Sequence, residues 1–308
     1  MATGADAVKW SLATVSLDGP TPCIEVDGEL YRLEPSLARA GMPGVTTAID
    51  LFSDWDRSCA ALDKAAALVD AQDRVPAGLP RLAPLLYPGK VLCAGANYYD
   101  HIKEMGVPDT RKEAQRLFFF FKPPRNAVVG EGATVHMPIG TKAFDWEIEL
   151  AAVIGRKARA VKAIDALSYV AGYTVSIDFS ARDHNRAPET FYKLDWVAGK
   201  AHDTCCPMGP RFVPASAILD PQNIGLKLSV NGAIKQDGRT TDMIFSIAEQ
   251  IEILSHIMTL DPGDVVLTGT PAGVGAPKQT FLSVGDRVDA EIEGIGKLSL
   301  TIQEPLIG

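Results

Sequence analysis

The sequence lacks any apolar run close to the roughly 20 residues that a membrane-spanning helix needs. It also lacks a basic start followed by an apolar stretch, so we expect no secretory signal peptide. Basic residues are fewer than acidic ones: the chain has 30 lysines and arginines and 38 aspartates and glutamates, which give a net charge of −8. An acidic protein repels phosphate backbones and anionic lipid, so neither a nucleic acid nor a membrane is expected as a partner.

Cysteine is scarce too, with five residues in a chain of 308. The number is odd, the positions are scattered, and Cys205 and Cys206 are adjacent. This pattern gives neither a disulfide framework nor a metal-binding spacing, and it predicts a reducing cytoplasm with cysteines that serve packing. The length permits one large domain or a small domain joined to a larger one.

The first 85 residues show short strand patterns and then an apolar periodicity that predicts a helix from about Asp54 to Asp73. The proline-rich stretch from Pro76 to Pro84 indicates a linker or the entry to another domain. We therefore predict an N-terminal accessory domain over residues 1–85, without chemistry of its own. A second domain over residues 86–308 is expected to carry the chemistry.

The stretch from Phe144 to Gly155 has strand-like alternation that runs into an apolar core segment. Glu147 and Glu149 fall on one face of this strand. Two carboxylates that enter the interior together repel each other and lose hydration, so they need a cation or protons. A hard divalent ion with oxygen ligands meets that need. The alternative is a solvated outer face of a strand.

Two later segments add charged groups to this picture. A core strand pattern from Tyr169 ends in Asp178, which is a natural third oxygen ligand. Lys200 follows a glycine and is placed to act as a fixed cation for developing negative charge. Taken singly, Arg182 and Lys200 are each typical of a solvated surface.

An earlier segment supplies a candidate base. If residues 98–105 form a helical turn or two, His101 and Glu104 share one face at a spacing of three residues. A carboxylate beside an imidazole raises its basicity and fixes its orientation, which gives a general base for water; a solvated surface pair is the alternative. Downstream, Phe118–Phe121 predicts a buried strand. Lys122 at its end is predicted to extend to the surface, and a site residue is the alternative.

The C-terminal part shows further strands and one helix. We predict a loop over Gln236–Thr241, an amphipathic helix over Ile247–Met258 and a strand that leads into a glycine-rich stretch at 268–275. That stretch resembles a phosphate cradle, but it lacks the lysine and hydroxyl pair of a P-loop and a following helix. A second Glu-x-Glu, at Glu291 and Glu293, is followed by glycine and is predicted to be solvated.

Five motifs follow one another along the chain: Asn97-Tyr98-x-x-His101-x-x-Glu104, Phe121-Lys122-Pro123, Asp145-x-Glu147-x-Glu149-Leu150, Asp178-x-Ser180-Ala181-Arg182-Asp183 and Gly199-Lys200-x-x-Asp203-Thr204. Through these motifs the chain resembles the fumarylacetoacetate hydrolase family over about residues 88–305. The resemblance implies an α+β fold that is mostly β, with a small N-terminal domain before a C-terminal mixed β-roll. It also implies a homodimer.

The resemblance assigns roles to individual residues. It implies that Mg²⁺, Mn²⁺ or Ca²⁺ is bound by Glu147, Glu149 and Asp178. It implies a water-activating dyad and a catalytic lysine at His101, Glu104 and Lys200, with the dyad on a segment that orders over the substrate. It implies substrate contacts at Arg182, Asn185 and Thr270. The sequence departs from the family pattern at Asn185, at His202 and in a longer loop over residues 184–196, so specificity is not transferred.

Our first functional hypothesis is a divalent-metal-dependent hydrolase that cleaves a C–C bond in a β-diketo acid. The substrate would be an acylpyruvate or a diketo-deoxy sugar acid, and the products a pyruvate-like 2-oxo acid and a carboxylic acid. The His101–Glu104 pair would take a proton from water, while Lys200 with Asn185 would stabilise the oxyanion. The alternative is an isomerase or decarboxylase of a 2-oxo dicarboxylate in aromatic catabolism. A metal-stabilised binding protein is a third class, which a dyad remote from the acids would favour.

Overall fold

The computed structural model describes residues 9–307. Within this range the helices are Leu33–Arg39 (α1), Trp55–Ala66 (α2), Tyr99–Glu104 (α3), Pro124–Ala127 (α4), Ala163–Ala166 (α5), Arg182–Asn185 (α6), Trp196–Lys200 (α7) and Ile247–Ile257 (α8). The strands are Ser11–Ser16 (β1), Pro20–Val26 (β2), Glu29–Arg32 (β3), Arg81–Leu82 (β4), Val91–Gly95 (β5), Phe118–Lys122 (β6), Val128–Val129 (β7), Thr134–His136 (β8), Phe144–Asp145 (β9), Ile148–Ile154 (β10), Val170–Ile177 (β11), Ser180–Ala181 (β12), Cys206–Pro214 (β13), Gly225–Val230 (β14), Ala233–Arg239 (β15), Val265–Leu267 (β16), Arg287–Ile292 (β17) and Gly296–Gln303 (β18).

A large mixed sheet forms the centre of the molecule. Its strands run in the order β3-β2-β1-β13-β11-β10-β16-β5-β6, with β4 beside β1 and β7 beside β13. A second sheet, in the order β15-β14-β17-β18-β8, packs on one side, and β12 and β9 form a separate short ladder next to the β10–β11 pair. Strand-dominated layers with few, short helices confirm the predicted α+β, mostly β, fold.

Strand β10 is buried along its whole length because apolar cores cover both faces of the central sheet. Its side chains alternate between them: Ile148 and Leu150 enter the core shared with the second sheet and α8, while Ala151 and Val153 enter the other core. The predicted alternation is therefore confirmed, and it sends Glu147 and Glu149 to the face opposite Ile148. Helix α8 begins with a capping box between Ser246 and Glu249.

The N-terminal segment extends the central sheet. Strand β1 pairs antiparallel with β13, with Leu12 opposite Phe212. Aromatic rings continue the contact from the helical side, because Trp55 lies edge-on to Phe212 at 5.5 Å and stacks on Phe52 at 4.9 Å. Contacts of this kind are worth about 0.5–1.5 kcal/mol each beyond the area they bury. The predicted division of the chain after residue 85 stays a prediction.

Three local predictions differ from the structure. The helix expected to reach Asp73 ends at Ala66, and after it Asp70 accepts a hydrogen bond from the Gln72 backbone and starts a separate turn. The Phe118–Phe121 run is an edge strand, so its outward rings are partly exposed. The loop expected from Gln236 is strand up to Arg239.

None of the helices within residues 9–307 has the length and apolarity that crossing a bilayer requires.

A glycine in β11 tests the packing of the central sheet. A Cβ on Gly172 would lie 2.2 Å from the Val213 carbonyl oxygen and 2.5 Å from the Phe212 ring. We expect Gly172→Ala to lower the free energy of unfolding by about 1–3 kcal/mol, because the β11–β13 ladder must move apart. Urea denaturation followed by circular dichroism measures this change.

Gly225→Ala in β14 is the matched control. The nearest atom to its added Cβ is the carboxylate oxygen of Glu293 at 3.3 Å, the end of a flexible exposed side chain. We expect a change within about 0.5 kcal/mol there. Equal urea midpoints for the two variants would contradict the close approach at Gly172.

Candidate active site and metal centre

Three buried carboxylates meet where β10 and β11 pair. Glu147 precedes β10, Glu149 lies in it, and Asp178 follows β11. The antiparallel register sets Ile148 opposite Ile177, and the Asp178 amide donates to the Glu147 carbonyl at 2.8 Å. One oxygen from each carboxylate lies within 4.8 Å of the others. The structure brings these three side chains together, while their role as metal ligands stays a prediction.

Two cations, Arg182 and Lys200, contact the carboxylates of this triad. Arg182 donates from Nε to Asp145 Oδ2 at 2.9 Å and from a terminal nitrogen to Glu147 Oε1 at 2.5 Å. Lys200 Nζ lies 2.7 Å from both Glu147 Oε2 and Asp178 Oδ2. The alternative that Arg182 and Lys200 are solvated surface charges is therefore wrong. Burial alone would raise the pKa of Glu147, but Arg182, Lys200 and nearby His101 outweigh it and hold that pKa well below its usual value.

Glu149 is placed differently from its two neighbours. It accepts the Gly269 amide proton at 2.5 Å, and no lysine, arginine or histidine within residues 9–307 forms an ion pair with it. Burial raises the pKa of Glu149 well above its usual value, and repulsion from Asp178 and Glu147 adds to this effect. Glu149 is thus the carboxylate in the triad whose charge the protein leaves without a cationic partner.

A third cation, Lys122, contacts Asp178 of the triad. The prediction of a surface lysine is wrong, because Lys122 is 1% exposed. Its Nζ donates to the carbonyl oxygens of Phe179, Lys200 and Cys205 at 2.7–2.8 Å and lies 2.8 Å from Asp178 Oδ1. Burial would lower the pKa of Lys122, but the charge of Asp178 outweighs it and keeps that pKa above its usual value.

The donor set and the charge count fit a divalent ion. The cluster holds four carboxylates and three cations, which leaves one excess negative charge: Asp145, Glu147, Glu149 and Asp178 against Lys122, Arg182 and Lys200. In the part of the chain that the structure describes, no group donates a hydrogen bond to buried Asp178 Oδ1, so this oxygen has a free lone pair. Three carboxylates are hard oxygen ligands of the kind that Mg²⁺, Mn²⁺ and Ca²⁺ take.

The candidate base lies beside the triad. His101 Nδ1 is 2.9 Å from Glu104 Oε1, at the spacing predicted for a helical turn, and His101 is 6% exposed. When His101 carries a second proton, its charge lowers the pKa of Glu147, so the two side chains are near each other. The solvated-pair alternative is wrong, and the dyad is not remote from the acids. A water-activating role stays a prediction.

The glycine-rich stretch at 268–275 holds carboxylates with its amides. The amide of Gly269 donates to Glu149, that of Gly273 to Glu104 at 2.9–3.0 Å, and that of Gly275 to Asp145 at 2.7 Å. Gly273 has a φ of +109°, and a Cβ there would lie 2.0 Å from the Lys235 carbonyl oxygen. Glycine is therefore required where the loop ties the dyad to the triad.

The predicted substrate contacts have different surroundings. Arg182 forms the ion pairs described above. The Thr270 hydroxyl donates to the Ile148 carbonyl and accepts from Gln236, both at 2.8 Å. Asn185 donates from Nδ2 to the Asp195 carbonyl at 3.0 Å, and it packs against Gly199, next to Lys200. Substrate binding by these three residues stays a prediction.

Sequence reasoning missed three residues that shape this site. Asp145 binds Arg182 and two loop amides, and its place two residues before Glu147 in the same alternation was an available signal. Gln236 donates to Thr270 and accepts from the Ile148 amide, inside the region expected to be a loop. Lys122 was assigned to the surface. Its burial depends on the segments that fold around it, which local periodicity does not describe.

Comparison with known proteins identifies the family. The model for the fumarylacetoacetate hydrolase C-terminal domain matches residues 90–303. A human protein named oxaloacetate tautomerase FAHD2A, mitochondrial, is 42% identical over 217 residues, which are 70% of this chain and 67% of that protein. The chain belongs to the fumarylacetoacetate hydrolase family, and the predicted membership is confirmed.

Solved structures agree over most of the chain. A fumarylacetoacetate hydrolase from psychrophilic Exiguobacterium antarcticum matches with a TM-score of 0.79 and 30% identity over 96% of this chain and 99% of that one. A fumarylpyruvate hydrolase from Pseudomonas aeruginosa, solved with Mn²⁺ and pyruvate, matches with a TM-score of 0.64 and 33% identity over 74% and 93%. The likeness over nearly the whole chain supports the fold class expected from the sequence.

Replacing Glu149 separates metal binding from folding. Glu149→Gln keeps an acceptor for the Gly269 amide and removes the repulsion from Glu147 and Asp178. We expect the metal-free variant to melt at or above the temperature of the metal-free parent. Mn²⁺ at 100 times its dissociation constant should stabilise the parent by about 2.7 kcal/mol and the variant not at all. Differential scanning calorimetry with and without the ion measures both effects.

The second Glu-x-Glu provides the control. Glu291 is exposed on β17, so Glu291→Gln should leave the response to Mn²⁺ at the parent value. A Glu149→Gln protein that Mn²⁺ still stabilises like the parent would contradict the assignment of Glu149 as a ligand.

Proposed function

We propose that the chain is a divalent-metal-dependent enzyme that interconverts the keto and enol forms of a 2-oxo dicarboxylic acid of the oxaloacetate type. The observation that carries the proposal is the His101–Glu104 pair beside a buried carboxylate triad, because it combines a base with a cation site. The 42% identity to a human oxaloacetate tautomerase supports the substrate class. The isomerase alternative thereby moves ahead of C–C hydrolysis.

Glu147, Glu149 and Asp178 are the residues that would hold the ion, which we propose to be Mg²⁺, Mn²⁺ or Ca²⁺. Bound there, the ion supplies Lewis-acid polarisation that makes a 2-oxo acid easier to enolise. The Mn²⁺ in the related fumarylpyruvate hydrolase supports this choice of ion. Arg182 and Lys200 keep Glu147 ionised in a place where burial would otherwise favour its neutral form, and Lys200 also holds the Asp178 carboxylate in position.

His101 is the proposed base. The Glu104 carboxylate accepts the proton of Nδ1, which leaves the lone pair of the neutral ring on Nε2. Two hydrogen bonds from Gly273 fix Glu104, and Asp100 accepts the Ala272 amide at 3.1 Å, so α3 is held on the glycine-rich stretch. His101 Nε2 then takes the proton from the carbon next to the 2-oxo group, which gives an enolate, and water carries a proton from the imidazolium to the enolate oxygen to complete the enol. In the reverse reaction the enol O–H proton leaves through water and His101 returns a proton to the carbon.

Lys200 is the proposed electrostatic partner. Its ammonium group lies over the Phe120 ring at 5.0 Å as well as between two carboxylates, so several contacts fix its position. A cation that needs no reorganisation stabilises the negative charge that develops on an enolate oxygen. This role does not require Lys200 to gain or lose a proton.

Hydrolysis of a β-diketo acid is the second candidate. The likeness to a fumarylpyruvate hydrolase favours it, and the His101–Glu104 pair would serve equally to activate water. Hydrolysis also needs a donor for the oxyanion at the attacked carbonyl. Of the two groups suggested from the sequence, Lys200 would serve either reaction, while Asn185 already donates a hydrogen bond to the Asp195 carbonyl. The engagement of Asn185 favours proton transfer over hydrolysis.

A panel of substrates tests the two candidates together. Enol-oxaloacetate decay is followed by ultraviolet absorbance, and pyruvate release is measured from acylpyruvates and diketo-deoxy sugar acids. We expect oxaloacetate tautomerisation above the rate of buffer with Mg²⁺, loss of the enzymatic rate with a chelator, and a fall of about 10²–10⁴-fold in His101→Ala. The control is His256→Ala, since His256 is exposed and bonds the Glu252 carbonyl in α8.

The possible results distinguish the candidates. Pyruvate release that His101→Ala abolishes, with no tautomerisation, would replace the proposal by the hydrolase. CO₂ release would replace it by the decarboxylase. A parent protein that binds the ion and converts none of these substrates would favour the metal-stabilised binding protein.

Two further expectations stay predictions. Homodimer formation is implied by the family resemblance, and the cytoplasmic location is inferred from cysteine usage. The word mitochondrial in the name of the human relative describes that protein.

A further inference from the structure

Lys122 is the most completely enclosed of the three cations around the triad, and the mechanism above gives it no role. It is the last residue of β6, at the edge of the central sheet, and its side chain is 0% exposed. Removing an ammonium group from water is costly unless hydrogen bonds and opposite charge replace the water. The surroundings of Lys122 supply both.

The contacts of Lys122 are of two kinds. An ammonium group has three protons, and the carbonyl oxygens of Phe179, Lys200 and Cys205 accept all three, at 2.8, 2.7 and 2.8 Å. The fourth neighbour, Asp178 Oδ1 at 2.8 Å, therefore receives no proton and is attracted by charge alone. This explains why a buried carboxylate oxygen lies beside a lysine without accepting a hydrogen bond.

These contacts join three segments that converge on the triad. Phe179 follows the candidate ligand Asp178, Lys200 ends α7, and Cys205 precedes β13. Asp178 is held at both oxygens, with Lys200 Nζ on Oδ2 and Lys122 Nζ on Oδ1. Lys200 is held at both ends as well, because Lys122 binds its carbonyl while its own ammonium binds Glu147 and Asp178.

We propose that Lys122 is a positioning residue that fixes the Asp178 carboxylate and the backbone of Lys200, so that the three carboxylates form a ready-made cation site. The proposal rests on the proposed function in that it takes the triad to be the metal site. It assigns Lys122 no contact with substrate and no proton transfer. Replacing a residue that contacts a metal ligand, rather than the metal itself, commonly lowers metal affinity or activity by about 10–100-fold.

Charge and position predict opposite effects on metal affinity, which makes the role testable. If Lys122 acted only through its charge, removing this cation beside Asp178 would strengthen binding of a divalent cation. If Lys122 positions Asp178, its removal lets the carboxylate turn and weakens binding. A lysine that only stabilised the fold would lower the melting temperature and leave the affinity of the folded protein unchanged.

The experiment is calorimetric titration of purified, metal-free protein with Mn²⁺, so it does not depend on enzymatic activity. We expect Lys122→Met to bind Mn²⁺ at least 10-fold more weakly than the parent. Lys157→Met, at an exposed lysine, should match the parent. Unchanged or tighter binding by Lys122→Met would overturn the positioning role and leave the proposed function intact. A parent that binds no Mn²⁺ would contradict both.

A second variant covers the case in which Lys122→Met does not fold. Removing the lysine leaves Asp178 as a buried charge that has lost one of its two cations, which is strongly destabilising, whereas neutralising both partners removes that penalty. We then expect the double variant Lys122→Met with Asp178→Asn to fold cooperatively in a thermal melt. Failure of the double variant to fold would show that the carbonyl contacts dominate, and it would overturn the role at Asp178.

Discussion

The burial of several carboxylates in one small volume is the constraint on which the rest of the structure depends. Two unit charges 4 Å apart repel by about 4 kcal/mol at an effective dielectric constant of 20, so such a cluster needs compensation. Lys122, Arg182 and Lys200 provide three positive charges around it. Among residues 9–307 Glu149 has no such partner, and the negative charge that remains attracts a divalent cation. The cations that permit burial thus also define the metal site.

The fold supplies the geometry for this compensation. Antiparallel pairing of β10 and β11 sets two carboxylates beside the third, and apolar residues on the opposite face of β10 anchor them. The glycine-rich stretch after β16 turns its amides toward Glu149, Glu104 and Asp145, so one loop connects triad, dyad and arginine. A stretch that looks like a phosphate cradle in sequence therefore holds the protein's own carboxylates. The dyad is close to the triad because both are bound to this loop.

Local patterns in the sequence predicted the parts of the site that depend on local geometry. Period-two alternation placed Glu147 and Glu149 on one face, and helical spacing paired His101 with Glu104. Burial of Lys122 could not be predicted, since its acceptors lie 57, 78 and 83 residues away along the chain. The same holds for Gln236, which bonds Ile148 across 88 residues. The end of α2 was misjudged because apolar periodicity continued beyond the helix.

We propose that Glu147, Glu149 and Asp178 hold one divalent ion in the buried space where their oxygens converge. Anomalous diffraction at the manganese absorption edge, from crystals grown with Mn²⁺, tests it most directly. We expect one strong peak in coordination contact with an oxygen of each of the three carboxylates. A peak bound elsewhere, or density that leaves Lys200 alone between Glu147 and Asp178 with no peak beside Glu149, would contradict it.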